Sequence, residues 1–185
     1  MTQSYGGAKV LTLLIKMLLK VGQVLNSKGW GIYGKLIRWR NKRKWGEEGW
    51  GHTSIIVEVQ KNHVVIAEAL YNGFKLVKYE KYWLKQKIKE KFYVVGESRI
   101  YLRDVYATAE KYEGRGYGWF DILFILFGSR KGKTGANKLI CSEAIARILY
   151  DCTKKRVDLE KEFGIDYDLI EPMHLWKSKQ MRWFK

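Results

Sequence analysis

Two periodicities alternate along the chain. Residues 52–59 read His-Thr-Ser-Ile-Ile-Val-Glu-Val and fit a β-strand, and 63–70, His-Val-Val-Ile-Ala-Glu-Ala-Leu, fit its hairpin partner. Phe74-Lys75-Leu76-Val77-Lys78-Tyr79 predicts a third strand after the Asn72-Gly73 turn. Residues 80–91 are strongly charged and read as a helix. Phe92 to Val95 and Ser98 to Leu102 read as one long strand or two short ones, and Asp104 is placed to cap a helix running to about Tyr112. Trp119 to Phe127 is an apolar run, helix or buried strand. The clearest helical stripe is Cys141, Ala144, Ile145, Ile148, Leu149 and Cys152, spaced by three and four residues. A charged piece, 154–162, follows, and Glu171-Pro172 precedes a basic, aromatic tail. Strands and helices in this order give an α+β chain.

The first 51 residues read differently. Within residues 8–25, Val10 to Leu25 is an apolar stretch broken by Lys16 and Lys20, too interrupted to span a bilayer and without the cleavage pattern of a signal peptide. They fit a basic amphipathic helix, lying on a membrane surface or covering the domain's own core. Residues 26–51 are rich in Trp, Gly and base: Lys35, Arg38, Arg40, Lys42, Arg43 and Lys44 occur with no acid between them. Interleaved with Trp30, Trp39, Trp45 and Trp50, they suit a phosphate-rich surface, membrane or single-stranded nucleic acid, or else form a solvated basic loop.

Composition narrows the class. At 185 residues, 46% of them hydrophobic, the chain is read as one folded domain over 1–185 and not a disordered one. A net charge of +16 implies an anionic partner without choosing it. The absence of any sequence-reading motif argues against sequence-specific nucleic-acid binding. The two cysteines, if on one helix, are roughly 16 Å apart along its axis and cannot bond to each other. With no signal peptide recognised, the chain is expected in the cytoplasm, or peripherally on a membrane. Its oligomeric state is not readable.

Cys141 carries the candidate chemistry. It falls in the first turn of its helix, where free N–H groups and the dipole favour thiolate. A nucleophilic thiol needs a base and the base needs an orienter. His52, His63 and His174 are the available imidazoles. His52 opens a strand after a glycine-rich loop, where a pocket can reach it. If the hairpin loop is the three residues Gln60-Lys61-Asn62, Val59 pairs with His63 and Ser54 with Glu68. Glu68 then lies diagonally from His52, Cβ atoms roughly 5.5–8 Å apart. A two- or four-residue loop would turn Glu68 to the other face. Ser142 and Glu143 are read as bracing the helix start and Cys152 as a core thiol.

The segments Gly-His-Thr-Ser-Ile-Ile-Val-Glu, Val-Val-Ile-Ala-Glu-Ala and Leu-Ile-Cys-Ser-Glu-Ala-Ile resemble the circularly permuted branch of the NlpC-type, papain-like superfamily, which includes YiiX-like hydrolases and lecithin–retinol-acyltransferase-like proteins. The likeness spans about Gly22 to Leu175. It implies a central antiparallel sheet with the cysteine helix packed on one face, Cys141 as nucleophile, His52 as base and Glu68 as third polar residue. Tyr117, with Ser142 and Trp50, is expected around the pocket and oxyanion. The function implied is a cysteine hydrolase cleaving an amide or ester, in a cell-wall peptide or a lipid acyl group, through a thioester and without cofactor or metal. The alternatives are acyl transfer, or a non-catalytic lipid- or nucleic-acid-binding module on the same fold. Two departures leave the substrate open: the unusually basic 29–51 segment, and Glu171-Pro172-Met173-His174, which only loosely matches the family's threonine–proline motif. Gly128 to Thr134 resembles a phosphate loop but is one residue short of that form.

Overall fold

A computed structural model describes residues 18–29, 31–47, 49–118, 122 and 138–184. Six strands form an antiparallel sheet: in chain order β1 (Gln23–Ser27), β2 (His52–Val59), β3 (His63–Leu70), β4 (Gly73–Glu80), β5 (Tyr93–Ser98) and β8 (Met181–Phe184). Their order across the sheet is β4-β3-β2-β1-β5-β8. The short β6 (Gly116–Tyr117) and β7 (Lys138–Leu139) pair in parallel beside it. The helices are α1 (Gly31–Trp45), α2 (Lys81–Lys89), α3 (Val105–Glu110), α4 (Cys141–Cys152), α5 (Leu159–Phe163) and α6 (Pro172–Lys177). The α+β reading and the antiparallel sheet therefore hold.

The period-two pattern explains the sheet's two covered faces. Val24, Ile55, Ala67 and Ala69 point to one side, where Ala144, Ile145, Ile148 and Leu149 of α4 pack on them. The two alanines of β3 and Ala144 keep the helix close to the strands. Leu25, Ile56, Val64 and Ile66 point to the other side and pack with Leu84 of α2. Burying each such aliphatic side chain contributes about 1.5–3 kcal/mol. α4 ends where Thr153 Oγ bonds back to the Leu149 carbonyl (2.7 Å) and Lys154 and Lys155 turn left-handed.

Several expectations need correction. The helix expected over 8–25 does not continue through its described part: Gln23–Ser27 is a fully buried strand between β2 and β5. Its polar residues are held by partners distant in sequence, Gln23 by Glu97 (3.0 Å) and Asn26 by Thr53 (2.5 Å). Residues 8–17 lie outside the described residues, as do the phosphate-loop-like stretch and all of the 119–127 run except the buried Ile122. The basic segment is not a loop; its larger part is α1. Asp104 stands at the N-cap of α3 in a left-handed conformation, and its side chain caps nothing. The strand expected over 98–102 stops at Ser98, and the aromatic tail supplies the unforeseen edge strand β8.

Candidate active site

β2 brings the imidazole and β3 the carboxylate. His52 Nε2 lies 2.9 Å from Glu68 Oε2, and Ser54 pairs with Glu68. The expected register is therefore present at the site, but not through the expected turn. Val59 pairs with Val64, not His63, leaving a four-residue connection closed by Gln60 N–H donating to the His63 carbonyl (2.8 Å). That connection alone would send Glu68 to the opposite face. A β-bulge at Val57, between Ile56 and Glu58, absorbs one residue and restores the alternation.

α4 brings the sulfur. Ile140 is extended, so the helix begins at Cys141, whose own N–H has no acceptor within the helix. Glu143 sits buried in the first turn; burial raises its carboxyl to about 7 despite Arg147, and it accepts from Arg147 (2.8 Å) and loosely from the Ile140 N–H (3.5 Å). Ile140 has no side-chain acceptor, so the helix start lacks a reciprocal capping box. Ser142 Oγ donates to the Ile170 carbonyl (2.5 Å) and ties α4 to the chain before α6. Ser142 thus braces, as expected, and only its backbone N–H faces the thiol.

Cys141 and His52 meet at the start of β2 in hydrogen-bonding contact. With Nε2 engaged by Glu68, Nδ1 is the nitrogen left for the sulfur. The backbone N–H groups of Thr53 and Ser142 also reach Sγ. Burial alone would hold the thiol protonated, but His52 and these donors bring Cys141 below the usual thiol range. Burial likewise opposes charge on His52, yet the Cys141 and Glu68 anions raise it to about 10. Burial would raise Glu68, and its bonds to His52 and Tyr79 lower it instead. The three groups thus favour a thiolate–imidazolium pair backed by a carboxylate.

Tyr79 is a fourth member that sequence reading missed. Its hydroxyl donates to Glu68 Oε1 (2.6 Å), so both carboxylate oxygens are engaged, and its ring stacks on Trp83 at 5.2 Å. Tyr79 pairs with Val64, four residues from Glu68, so no local spacing signals the contact. Tyr117 lies beside the thiol as expected: burial first, and then the Cys141 charge, push its hydroxyl well above the ordinary tyrosine range.

A cavity of about 420 Å³ opens beside His52 and Glu68, lined also by Tyr33, Gly34, Ile37, Tyr71 and Tyr117. α1 roofs it, because glycines let that helix press on the loop before β2. A Cβ on Gly34 would lie 2.9 Å from the Gly29 carbonyl carbon, and one on Gly51 2.3 Å from the Lys28 carbonyl oxygen. Trp50 is not among the lining residues, contrary to expectation; its ring packs on Trp176 at 5.3 Å. The other two histidines stand elsewhere. His63 sits at the hairpin end. His174 Nδ1 accepts from the Glu171 N–H (2.9 Å) at the start of α6, and burial together with Lys44 and Arg40 pulls it down to about 3. Among the described residues no group of three His, Cys, Asp or Glu side chains is placed to hold a metal ion, and no helix is long and apolar enough to cross a membrane. Comparison with protein-family models finds no matching family, and comparison with curated proteins finds no match.

Proposed function

We propose that the protein is a cysteine-dependent acyl hydrolase with Cys141 as nucleophile, His52 as base and Glu68 as orienter, built on a permuted papain-like fold. The observation that carries this reading is the chain of contacts from a helix-start thiol through an imidazole to a buried carboxylate. The resemblance of the His52 and Cys141 segments to the permuted NlpC-type branch is in keeping with it, as is the strand-before-helix order.

The chemistry follows from the geometry. His52 Nδ1 takes the thiol proton, and Sγ attacks the carbonyl carbon of an amide or ester. The developing oxyanion accepts from the Cys141 N–H, with Tyr117 at its side. As the C–N or C–O bond breaks, the imidazolium returns its proton to the leaving group. A thioester remains on Cys141. Water, deprotonated by His52, then attacks it; the carboxylic acid leaves and the thiol is restored. An amine or alcohol in place of water makes the same site an acyltransferase.

The test is acylation by a p-nitrophenyl acyl ester, read by mass spectrometry of intact and digested protein. Burst release of nitrophenol with an acyl adduct on Cys141 is expected, absent in Cys141→Ala and His52→Ala. An adduct that forms equally in a folded His52→Ala chain would end the reading. Product analysis with and without an added amine separates hydrolysis from transfer.

A further inference from the structure

α1 has two apolar sides, and only one is used by the fold. At about 100° per residue, Gly34, Ile37 and Asn41 fall together and are the buried residues of the helix. Ile32, Leu36, Trp39 and Arg43 fall within about 60° of one another on the opposite side. Three of them are large apolar groups standing in solvent, with Ile32 67%, Trp39 55% and Leu36 38% exposed. Nothing in the described fold needs them there. Lys35 and Lys42 flank this outer stripe, both exposed and without an ion-pair partner among the described residues. The Arg43 guanidinium lies over the Trp39 ring, 4.9 Å from its centre. No acidic residue occurs from Gly31 to Gly46.

We infer that the outer face of α1 docks on an anionic phospholipid surface. An interfacial helix needs aliphatic side chains that enter the acyl boundary, an aromatic ring at headgroup depth, and cations beside them. α1 supplies Ile32 and Leu36, Trp39, and Lys35, Lys42 and Arg43. A single-stranded nucleic acid would use the cations and the ring but leave two aliphatics without a stacking role. A protein partner would have to offer acids around an apolar strip, whereas an anionic bilayer presents both layers everywhere. The placement also matters. Ile37, on the inner side of the same helix, and Tyr33, exposed at its flank, line the cavity beside His52. α1 therefore stands between the cavity on its inner side and a bilayer on its outer one, which points to membrane-borne acyl groups as the substrate class. The docking surface stands by itself; only this last step rests on the proposed enzyme activity.

The experiment is sedimentation of the full chain with large vesicles of phosphatidylcholine, either alone or with about one-third phosphatidylglycerol. Binding to the anionic vesicles is expected. Lys35→Gln with Lys42→Gln weakens it about 25-fold, at roughly fivefold per surface cation. Leu36→Ala with Trp39→Ala weakens it at least about tenfold while every charge is kept. Both pairs are exposed, so circular dichroism should stay unchanged. Failure to bind anionic vesicles overturns the inference. So does binding indifferent to the Leu36 and Trp39 changes, or a single-stranded oligonucleotide that binds through the same residues and outcompetes the vesicles. Cys141→Ala chain should partition like the wild type. A chain that binds vesicles but forms no acyl adduct thus refutes the enzyme reading alone, and the converse result refutes only the docking surface.

Discussion

The carboxylate behind His52 gives the sharpest test. Glu68→Gln keeps the size and shape of the side chain, removes its charge and puts an NH₂ donor in place of one acceptor oxygen. In the wild type, Glu68 Oε2 is 2.9 Å from His52 Nε2, so the charge centres stand about 4 Å apart. At an effective dielectric of about 20 that separation corresponds to about 4 kcal/mol, roughly three pKa units. The His52 side chain retains 15% exposure, and solvent reduces the effect, so a fall of about two units is expected. A second effect acts in the same direction. The glutamine carbonyl accepts from Tyr79, which leaves the amide NH₂ toward Nε2. That donor can bond only to an unprotonated Nε2. The assay is the titration of the His52 ring by NMR, assigned by comparison with His52→Ala. The wild-type midpoint should lie near 10 and the variant's near 8. The sign carries over to activity. In the proposed mechanism the imidazolium protonates the leaving group, so acylation is expected to fall as pH rises through the His52 midpoint, and this alkaline limb should move down by the same two units. A wild-type His52 that titrates near 6.5, or a midpoint unmoved by Glu68→Gln, would refute the ion-pair reasoning.

Two further outcomes follow, one beside the site and one away from it. Gly51→Ala places a methyl against the backbone oxygens of Lys28 and Gly34, neither of which can rotate away; it should cost about 3 kcal/mol in urea unfolding and perturb the His52 resonance next to it. His174 has a folded pKa of about 3, below the unfolded value of 6.5, so its contribution is fully present above 6.5 and is lost as pH falls toward 3. His174→Gln should keep an acceptor for the Glu171 N–H and flatten that acid loss, on the order of 4 kcal/mol, in urea midpoints measured across this range.

Much was fixed locally in the chain. The period-two runs of 52–59 and 63–70 and the three-four spacing from Cys141 to Cys152 each bury one side of an element, and a burial pattern is written in the residues that carry it. The thiol at a helix start is equally local, because extended Ile140 and the apolar stripe after it set where α4 begins. What needed the tertiary structure was every property set by a neighbour distant in the chain. Gln23–Ser27 has too few apolar residues to announce a strand, and becomes one because β2 and β5 bond to both of its edges. β8 likewise exists only because β5 leaves an edge to pair with. The Ser54–Glu68 register came out as expected by way of two compensating irregularities, a longer turn and the bulge at Val57. Neither is encoded by hydrophobic pattern, since Val57 would be apolar in or out of register. Tyr79 joins the carboxylate across the sheet, and the outer stripe of α1 stands apart from a basic loop only once Gly34, Ile37 and Asn41 are seen to face inward. Sequence determined which faces must be buried and that a sulfur sits at a helix start. Pairing and the bulge decided what that sulfur meets, because both depend on contacts between segments whose separation along the chain carries no periodic signal.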